Sequence, residues 1–114
     1  MSEFRRAKRR KVPDTIEVYD TMTDQVVGRI GNISETGMLM LATVPGMDDA
    51  LYQLRFSLNS ARGKHALEVG AHQLWSDAAN SPGQFWTGFR FIDIGRQDAQ
   101  VLREWIESPG AQYV

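Results

Sequence analysis

The chain of 114 residues contains no cysteine, so it forms neither disulfide bonds nor thiolate metal sites. It also lacks any apolar run near the roughly 20 residues that a membrane-spanning helix needs. The basic N-terminus is not followed by an apolar segment, which is not the pattern of a secretory signal. These absences predict a cytoplasmic protein that does not enter a membrane.

Residues suited to catalysis are scarce as well. The two histidines, His65 and His72, are seven residues apart on one predicted strand and therefore face opposite ways. Ser34 has no Gly-x-Ser-x-Gly context, and no glycine-rich phosphate loop precedes a helix. The adjacent Asp48 and Asp49 suit a turn better than a metal site. The sequence predicts no catalytic residue, no bound metal, no cofactor and no enzyme activity.

Charge is distributed unevenly along the chain. The net charge is −1, but six of the thirteen basic residues lie between Arg5 and Lys11. Outside this basic arm, seven basic residues face thirteen acidic ones, every acid except Glu3, so the body carries about −6. Such an arm either serves an anionic partner or only solvates a terminus, and charge alone leaves both interpretations open.

Alternation of apolar and polar residues predicts six short antiparallel strands. They fall within residues 16–20, 25–33, 38–41, 51–58, 65–75 and 85–92. After Gly95 the apolar spacing becomes helical, with one stripe at Val101, Leu102, Trp105 and Ile106. Glycine-marked bends favour a mainly β fold, a small antiparallel β-barrel with the helix packed on it.

The predicted barrel and helix fill residues 13–108, between a basic arm at residues 1–12 and a tail at residues 109–114. Pro13 disfavours a helix through the end of the arm, because the residue before a proline prefers an extended conformation. We therefore expect the arm to be a loop or an extended segment that is flexible without a ligand.

A polar turn divides two apolar runs within residues 31–41. Asn32 and Ser34 occupy alternate positions, so their side chains point the same way, and both can donate and accept hydrogen bonds. Gly37 lets the chain turn without a Cβ that would obstruct a ligand. The alternative is an ordinary hairpin whose turn is capped by Asn32 and Ser34, and spacing alone favours that alternative.

The basic arm is rich in arginine, which holds four of its six cationic positions. Guanidinium groups bind phosphate, and the O6 and N7 atoms of guanine, through two parallel hydrogen bonds. A four-residue spacing pairs Arg5 with Arg9 and also Arg6 with Arg10.

An R-x-x-x-R pair followed about twenty residues later by [D/N]-x-S-x-x-G resembles the signature of the PilZ domain family. The second motif reads Asn32-Ile-Ser34-Glu-Thr-Gly37. The resemblance runs from residue 4 to about residue 107, through a strand ending near Trp75 and the segment 88–93. It implies a six-stranded barrel with a helix, and binding of the bacterial second messenger cyclic di-GMP.

The resemblance also implies a ligand site. Arginines of the arm would wrap over the ligand, while the turn would contact a guanine and its neighbouring phosphate or ribose. Trp75 is either a stacking surface for guanine or a barrel-rim aromatic, and Arg90 is a secondary candidate. Asparagine stands at position 32, where many members have an aspartate whose charge holds arginine. The implied ligand-binding residues are Arg5, Arg6, Arg9, Arg10, Asn32, Ser34, Gly37 and Trp75.

The sequence thus predicts a stand-alone receptor for cyclic di-GMP that signals through a protein partner, in motility or biofilm control, when the ligand orders the arm. One alternative is a PilZ-like module that binds no nucleotide and acts by contact, for example in pilus or motility assembly. Another is a nucleic-acid-binding small barrel, which the acidic body disfavours because nucleic-acid polymers need a broad basic surface.

Overall fold

The computed structural model describes residues 7–46 and 48–114. The strands are β1 (Arg10–Lys11), β2 (Glu17–Asp20), β3 (Gln25–Ile33), β4 (Gly37–Ala42), β5 (Leu51–Ser60), β6 (Gly63–Ala78) and β7 (Phe85–Ile94), and they are followed by helix α1 (Arg96–Ile106). All strand pairings are antiparallel. The mainly β class and the C-terminal helix predicted from the sequence are confirmed.

Six strands close into a barrel in the order β3, β2, β5, β6, β7, β4, and β4 pairs back onto β3. Closure leaves few free backbone groups, because each strand of the ring has a neighbour on both sides. The seam between β2 and β5 is the shortest, with only two paired positions, Tyr19 with Arg55 and Asp20 with Leu54. The opposite wall, formed by β4, β7 and β6, is paired over most of its length, with two register shifts between β6 and β7.

The inward faces of the strands bury one continuous apolar core. Its fully buried members are Val18, Ile30, Ile33, Met38, Met40, Ala42, Leu54, Phe56, Leu58, Leu67, Val69, Ala71, Phe89, Leu102 and Ile106. Helix α1 contributes the last two, and Val101 and Trp105 pack beside them, which confirms the predicted apolar stripe. The helix therefore anchors to the same core as the strands.

A β-bulge in β3 decides which side chains face outward near the turn. Strict alternation places Gly31 and Ile33 on one face and Ile30 on the other, but the pairing with β4 shifts register between Ile30 and Asn32. As a result Ile30 and Ile33 are both buried, so the predicted alternation is wrong beyond Ile30. The extra residue at Gly31 re-aims Asn32 toward the outside, as bulges commonly do.

Strand β1 lies outside the ring, in the segment that the sequence assigns to the arm. Arg10 pairs with Ile33 of β3 on one side and with Tyr113 on the other. The N–H of Lys11 donates to the carbonyl of Gln112 at 2.8 Å, and the N–H of Val114 donates to the carbonyl of Arg9 at 2.9 Å. The base of the arm is therefore a paired strand, held between the barrel and the chain's last residues.

Within residues 7–46 and 48–114, no helix is both long and apolar enough to span a bilayer.

Candidate functional site

The turn between β3 and β4 is built around the side chain of Ser34. Its Oγ accepts the backbone N–H groups of Thr36 at 3.1 Å and Gly37 at 3.2 Å, while its own N–H donates to the Gly37 carbonyl at 2.8 Å. Ser34 is completely buried. The hydroxyl thus satisfies the donors that the turn leaves unpaired, which is the capping role that the hairpin interpretation assigns to it.

Gly37 is required by the barrel itself. A Cβ at this position would overlap the carbonyl oxygen of Phe89 on β7 and lie 3.3 Å from the Cα of Arg90. The space that the sequence assigns to a ligand is therefore occupied by the backbone of the neighbouring strand. Gly37 permits the close approach of β4 and β7 directly beneath the turn.

Arg9 is the arginine that reaches the turn. Its Nε–H donates to Oδ1 of Asn32 at 2.8 Å, and its Nη1 lies 3.4 Å from Oγ of Ser34. Partial burial lowers the pKa of Arg9 below its ordinary value by desolvation, and arginine remains charged in proteins. Among the described residues no carboxylate lies within ion-pair distance of Arg9. In that part of the chain the hydrogen bonds of its guanidinium go to neutral side chains, those of Asn32 and Ser34.

Arg10, the next residue, points away from the turn. Its guanidinium lies 4.0 Å from the centre of the Trp105 ring, donates to the Trp105 carbonyl, and donates to Oγ of Ser108 at 2.6 Å. The structure therefore brings Arg9 and not Arg10 to Asn32 and Ser34. Arg5 and Arg6, the other arginines of the two possible pairs, lie outside the described residues.

A row of paired residues extends from the turn across the outer wall of the barrel. Asn32 pairs with Leu39, Leu39 with Gly88, and Gly88 with Trp75. Paired residues share one face of a sheet, and three strand spacings of roughly 4.8 Å separate the ends of the row by about 14 Å. The Trp75 ring covers Gly88, where a Cβ would overlap it, yet the residue is 41% exposed.

Two residues flank this row on β7. Trp86 is 36% exposed, pairs with Leu41 and leans against Gly31, where a Cβ would lie 3.1 Å from the ring. Arg90 is exposed and pairs with Gly37 beside the turn. The sequence contains a pattern that predicts this arrangement of Trp86 and Arg90. Positions 86, 88 and 90 alternate onto one face of the strand, with a glycine between two large side chains.

The histidines belong to two separate pairs, and His72 lies on the wall itself as the cross-strand partner of Arg90. Nε2 of His65 lies 3.1 Å from Oδ1 of Asp98 at the start of α1, and Nε2 of His72 lies 3.1 Å from Oδ1 of Asp49. In the part of the chain that the structure describes, no three histidine, aspartate or glutamate side chains are grouped as a metal site would require.

The comparisons with known proteins agree with this architecture. The PilZ domain model matches residues 3–108. The inhibitor of motility MotI/DgrA from Bacillus subtilis is 14% identical with a TM-score of 0.74, covering 91% of this chain and 49% of that one. The PilZ domain of YcgR from Escherichia coli, solved with cyclic di-GMP, is 14% identical with a TM-score of 0.61, covering 89% and 87%.

This chain spans about half the length of MotI/DgrA, the first of these structures. No curated protein matches the sequence. At 14% identity the two structures show a shared fold, whereas the family match covers most of the chain. PilZ domains are receptor and adaptor modules rather than enzymes. The chain belongs to the PilZ domain family.

Proposed function

We propose that this chain is a non-catalytic receptor for cyclic di-GMP, which binds on the outer wall of the barrel between the arm and Trp75. The observation that carries the proposal is the hydrogen bonding of Arg9, whose charged guanidinium contacts the neutral side chains of Asn32 and Ser34. An anionic ligand that binds Arg9 would not have to displace a carboxylate belonging to the residues that the structure describes. Cyclic di-GMP offers two phosphodiester charges and two guanines, which suit a guanidinium and an aromatic surface on one face.

The geometry supports Arg5 and Arg9 as the arginine pair of the site. Arg9 already sits at the turn, and Arg5 precedes it by the four residues of the motif. The Nε–H of Arg9 donates to Asn32, and its Nη1 contacts Ser34. Further N–H donors of the guanidinium therefore remain for a phosphate. Arg6, the other candidate in the arm, would then serve the same ligand or the arm's solvation.

Asn32 supplies a donor that an aspartate would lack. Its Oδ1 accepts from Arg9, while its amide N–H₂ makes no hydrogen bond to the described residues. Guanine presents O6 and N7 as acceptors. We propose that the Asn32 amide donates to a guanine edge, and that Ser34 acts by shaping the turn and steadying Arg9 because its own hydroxyl is buried.

Trp75 completes the proposed site at the far end of the cross-strand row. Its partly exposed ring faces outward in the same row as Asn32, where a guanine can stack. Arg90, exposed beside Gly37, adds positive charge on the same wall. A ligand that bridged arm and wall would order the arm, and a cytoplasmic protein partner would respond to the ordered surface. Only a preference of the ligand for the ordered arm drives such a switch.

Calorimetric titration of the protein with cyclic di-GMP tests the proposal. Wild type should give saturable heat with tens of micromolar protein, and Arg9→Ala should bind roughly 10- to 100-fold more weakly, because hydrogen bonds to charged groups contribute about 1.5–3 kcal/mol. Arg62→Ala is the matched control, since Arg62 lies in the exposed turn between β5 and β6.

Absence of heat with the wild-type protein would overturn the proposal and favour a PilZ-like module that acts by protein contact alone. Binding of DNA or RNA with a steep salt dependence would instead favour the nucleic-acid alternative.

A further inference from the structure

Arg10 and Tyr113 converge on the C-terminal end of helix α1. They are direct cross-strand partners, and their side chains reach consecutive carbonyls of the helix end. Arg10 donates to the carbonyl of Trp105, and the Tyr113 hydroxyl donates to the carbonyl of Ile106 at 2.7 Å. The last carbonyls of a helix lack partners within it and carry the negative end of its dipole, so a guanidinium is well suited to this position.

This arrangement fixes Arg9 at both of its ends. Its backbone carbonyl accepts from Val114, next to the Arg10–Tyr113 pair, while its guanidinium lies on Asn32. The helix also reaches the turn, because Nε of Arg103 donates to Oε1 of Glu35 at 3.1 Å. Arm, tail and turn are thus connected through one helix end.

Much of the guanidinium of Arg10 is engaged within the protein. One face lies on the Trp105 ring, Nη1 contacts two oxygen atoms, and Nε is buried without a partner among the described residues. The group is turned into the protein and away from the outer wall that carries Asn32. Contacts of this kind indicate a structural role, in which Arg10 attaches the arm to the end of helix α1.

We infer that Arg10, with Trp105, Ser108 and Tyr113, forms an arm anchor, and that Arg10 is a positioning residue that presents Arg9 to the ligand. The inference rests on the proposed function for its effect on binding. Because the anchor orders the base of the arm before a ligand arrives, part of the entropic cost of ordering is already met. By linkage, a ligand that binds the positioned Arg9 strengthens the docking of the tail by the same factor.

A switchable covalent bond distinguishes positioning from contact. Arg10 and Tyr113 face each other as a non-hydrogen-bonded pair, since the flanking residues make the ladder bonds. Such pairs bring Cβ atoms to the separation that a disulfide needs, and the chain contains no other cysteine. The double variant Arg10→Cys/Tyr113→Cys therefore removes the anchor when reduced and replaces it with a bond when oxidised.

The reduced double variant should bind cyclic di-GMP at least about fivefold more weakly than wild type, and the oxidised form should return to within about twofold. If Arg10 contacts the ligand directly, the oxidised form stays as weak as the reduced form, and the inference is overturned. Unchanged affinity in the reduced form overturns it equally. Arg10→Met, which keeps an aliphatic stem on Trp105, should bind as weakly as the reduced double variant. It serves as the test if the double variant does not fold.

A second measurement needs no ligand. The Arg9 Nε–H should exchange slowly with solvent in wild type and in the oxidised double variant, and quickly in the reduced variant and in Arg10→Met. Unchanged exchange in both of the latter would overturn the anchor. Wild type that shows protected Arg9 but no binding of cyclic di-GMP would contradict the proposed function alone, so the two failures are distinguishable.

Discussion

The turn at residues 34–37 and the arm at residues 7–11 form the two halves of the proposed site, and they are held in place in different ways. The turn is fixed by a buried hydroxyl, by backbone hydrogen bonds and by the close approach of Gly37 to β7. The arm is fixed by a two-residue strand and by side chains that reach across to distant parts of the chain. The first half is part of the barrel itself, whereas the second lies outside the ring of strands and depends on a few contacts with the barrel, the helix and the tail.

This difference predicts that changes in the turn affect folding, while changes in the arm affect binding. The largest effect is expected for Gly37→Ala, because the added Cβ overlaps backbone that cannot move aside. We expect a loss of about 3 kcal/mol in the free energy of unfolding, measured by urea denaturation. The control is Gly95→Ala, where a Cβ meets nothing within 4 Å and the loss should stay below about 1 kcal/mol. Equal losses in the two variants would contradict the account.

Arg9→Ala should show the opposite pattern. Arg9 is only half-buried and its partners stay in place without it, so unfolding should change by less than about 0.5 kcal/mol. Binding of cyclic di-GMP should nevertheless fall roughly 10- to 100-fold. Parallel urea denaturation and calorimetry separate the two quantities. A variant that unfolds easily would show that Arg9 belongs to the structure of the barrel.

Ser34→Ala should affect both quantities, because Ser34 caps the turn and also lies against Arg9. Loss of a buried acceptor for two N–H groups should cost about 1–2 kcal/mol and lower the melting temperature by several degrees. Binding should weaken severalfold through the displaced Arg9. Weakened binding with an unchanged melting temperature would mean that the hydroxyl serves the ligand and not the turn.

Trp75→Ala tests the far end of the site. Stacking of a base on an aromatic ring contributes about 1–3 kcal/mol, so binding should weaken about tenfold, with little change in stability. Leu74→Ala is the control, since Leu74 is the neighbour of Trp75 on the same strand and is similarly exposed at 45%. Equal affinities for the two variants would remove Trp75 from the site.

Asn32→Asp should have the smallest effect. The carboxylate holds Arg9 more firmly, but it neutralises the arginine's charge and removes the amide donor. We expect binding to fall about threefold, with unfolding unchanged or slightly more costly. Calorimetry at two salt concentrations checks this balance. Tighter binding would show that the missing charge at position 32 limits the affinity of the natural site.

The sequence predicts the barrel, the helix and the position of the turn, because these depend on apolar periodicity and on local turn chemistry. It wrongly predicts that Asn32 and Ser34 point the same way, because Ser34 is buried under the turn. It also misses the shared burial of Ile30 and Ile33, since a one-residue bulge at Gly31 shifts the alternation without any change in composition. It also misses strand β1, because two residues cannot show a period. Adjacent arginines look alike in a motif, and only the fold sends Arg9 to Asn32 and Arg10 to Trp105.

The most direct test of the central claim is an NMR titration with cyclic di-GMP that follows the side-chain resonances of Arg9 Nε–H, the Asn32 amide and the Trp75 indole. The account predicts that all three shift together and saturate, while the Arg62 Nε–H in the distant hairpin stays unchanged. Saturable binding that leaves Arg9 and Asn32 unshifted would contradict the account, because the nucleotide would then bind elsewhere on the barrel.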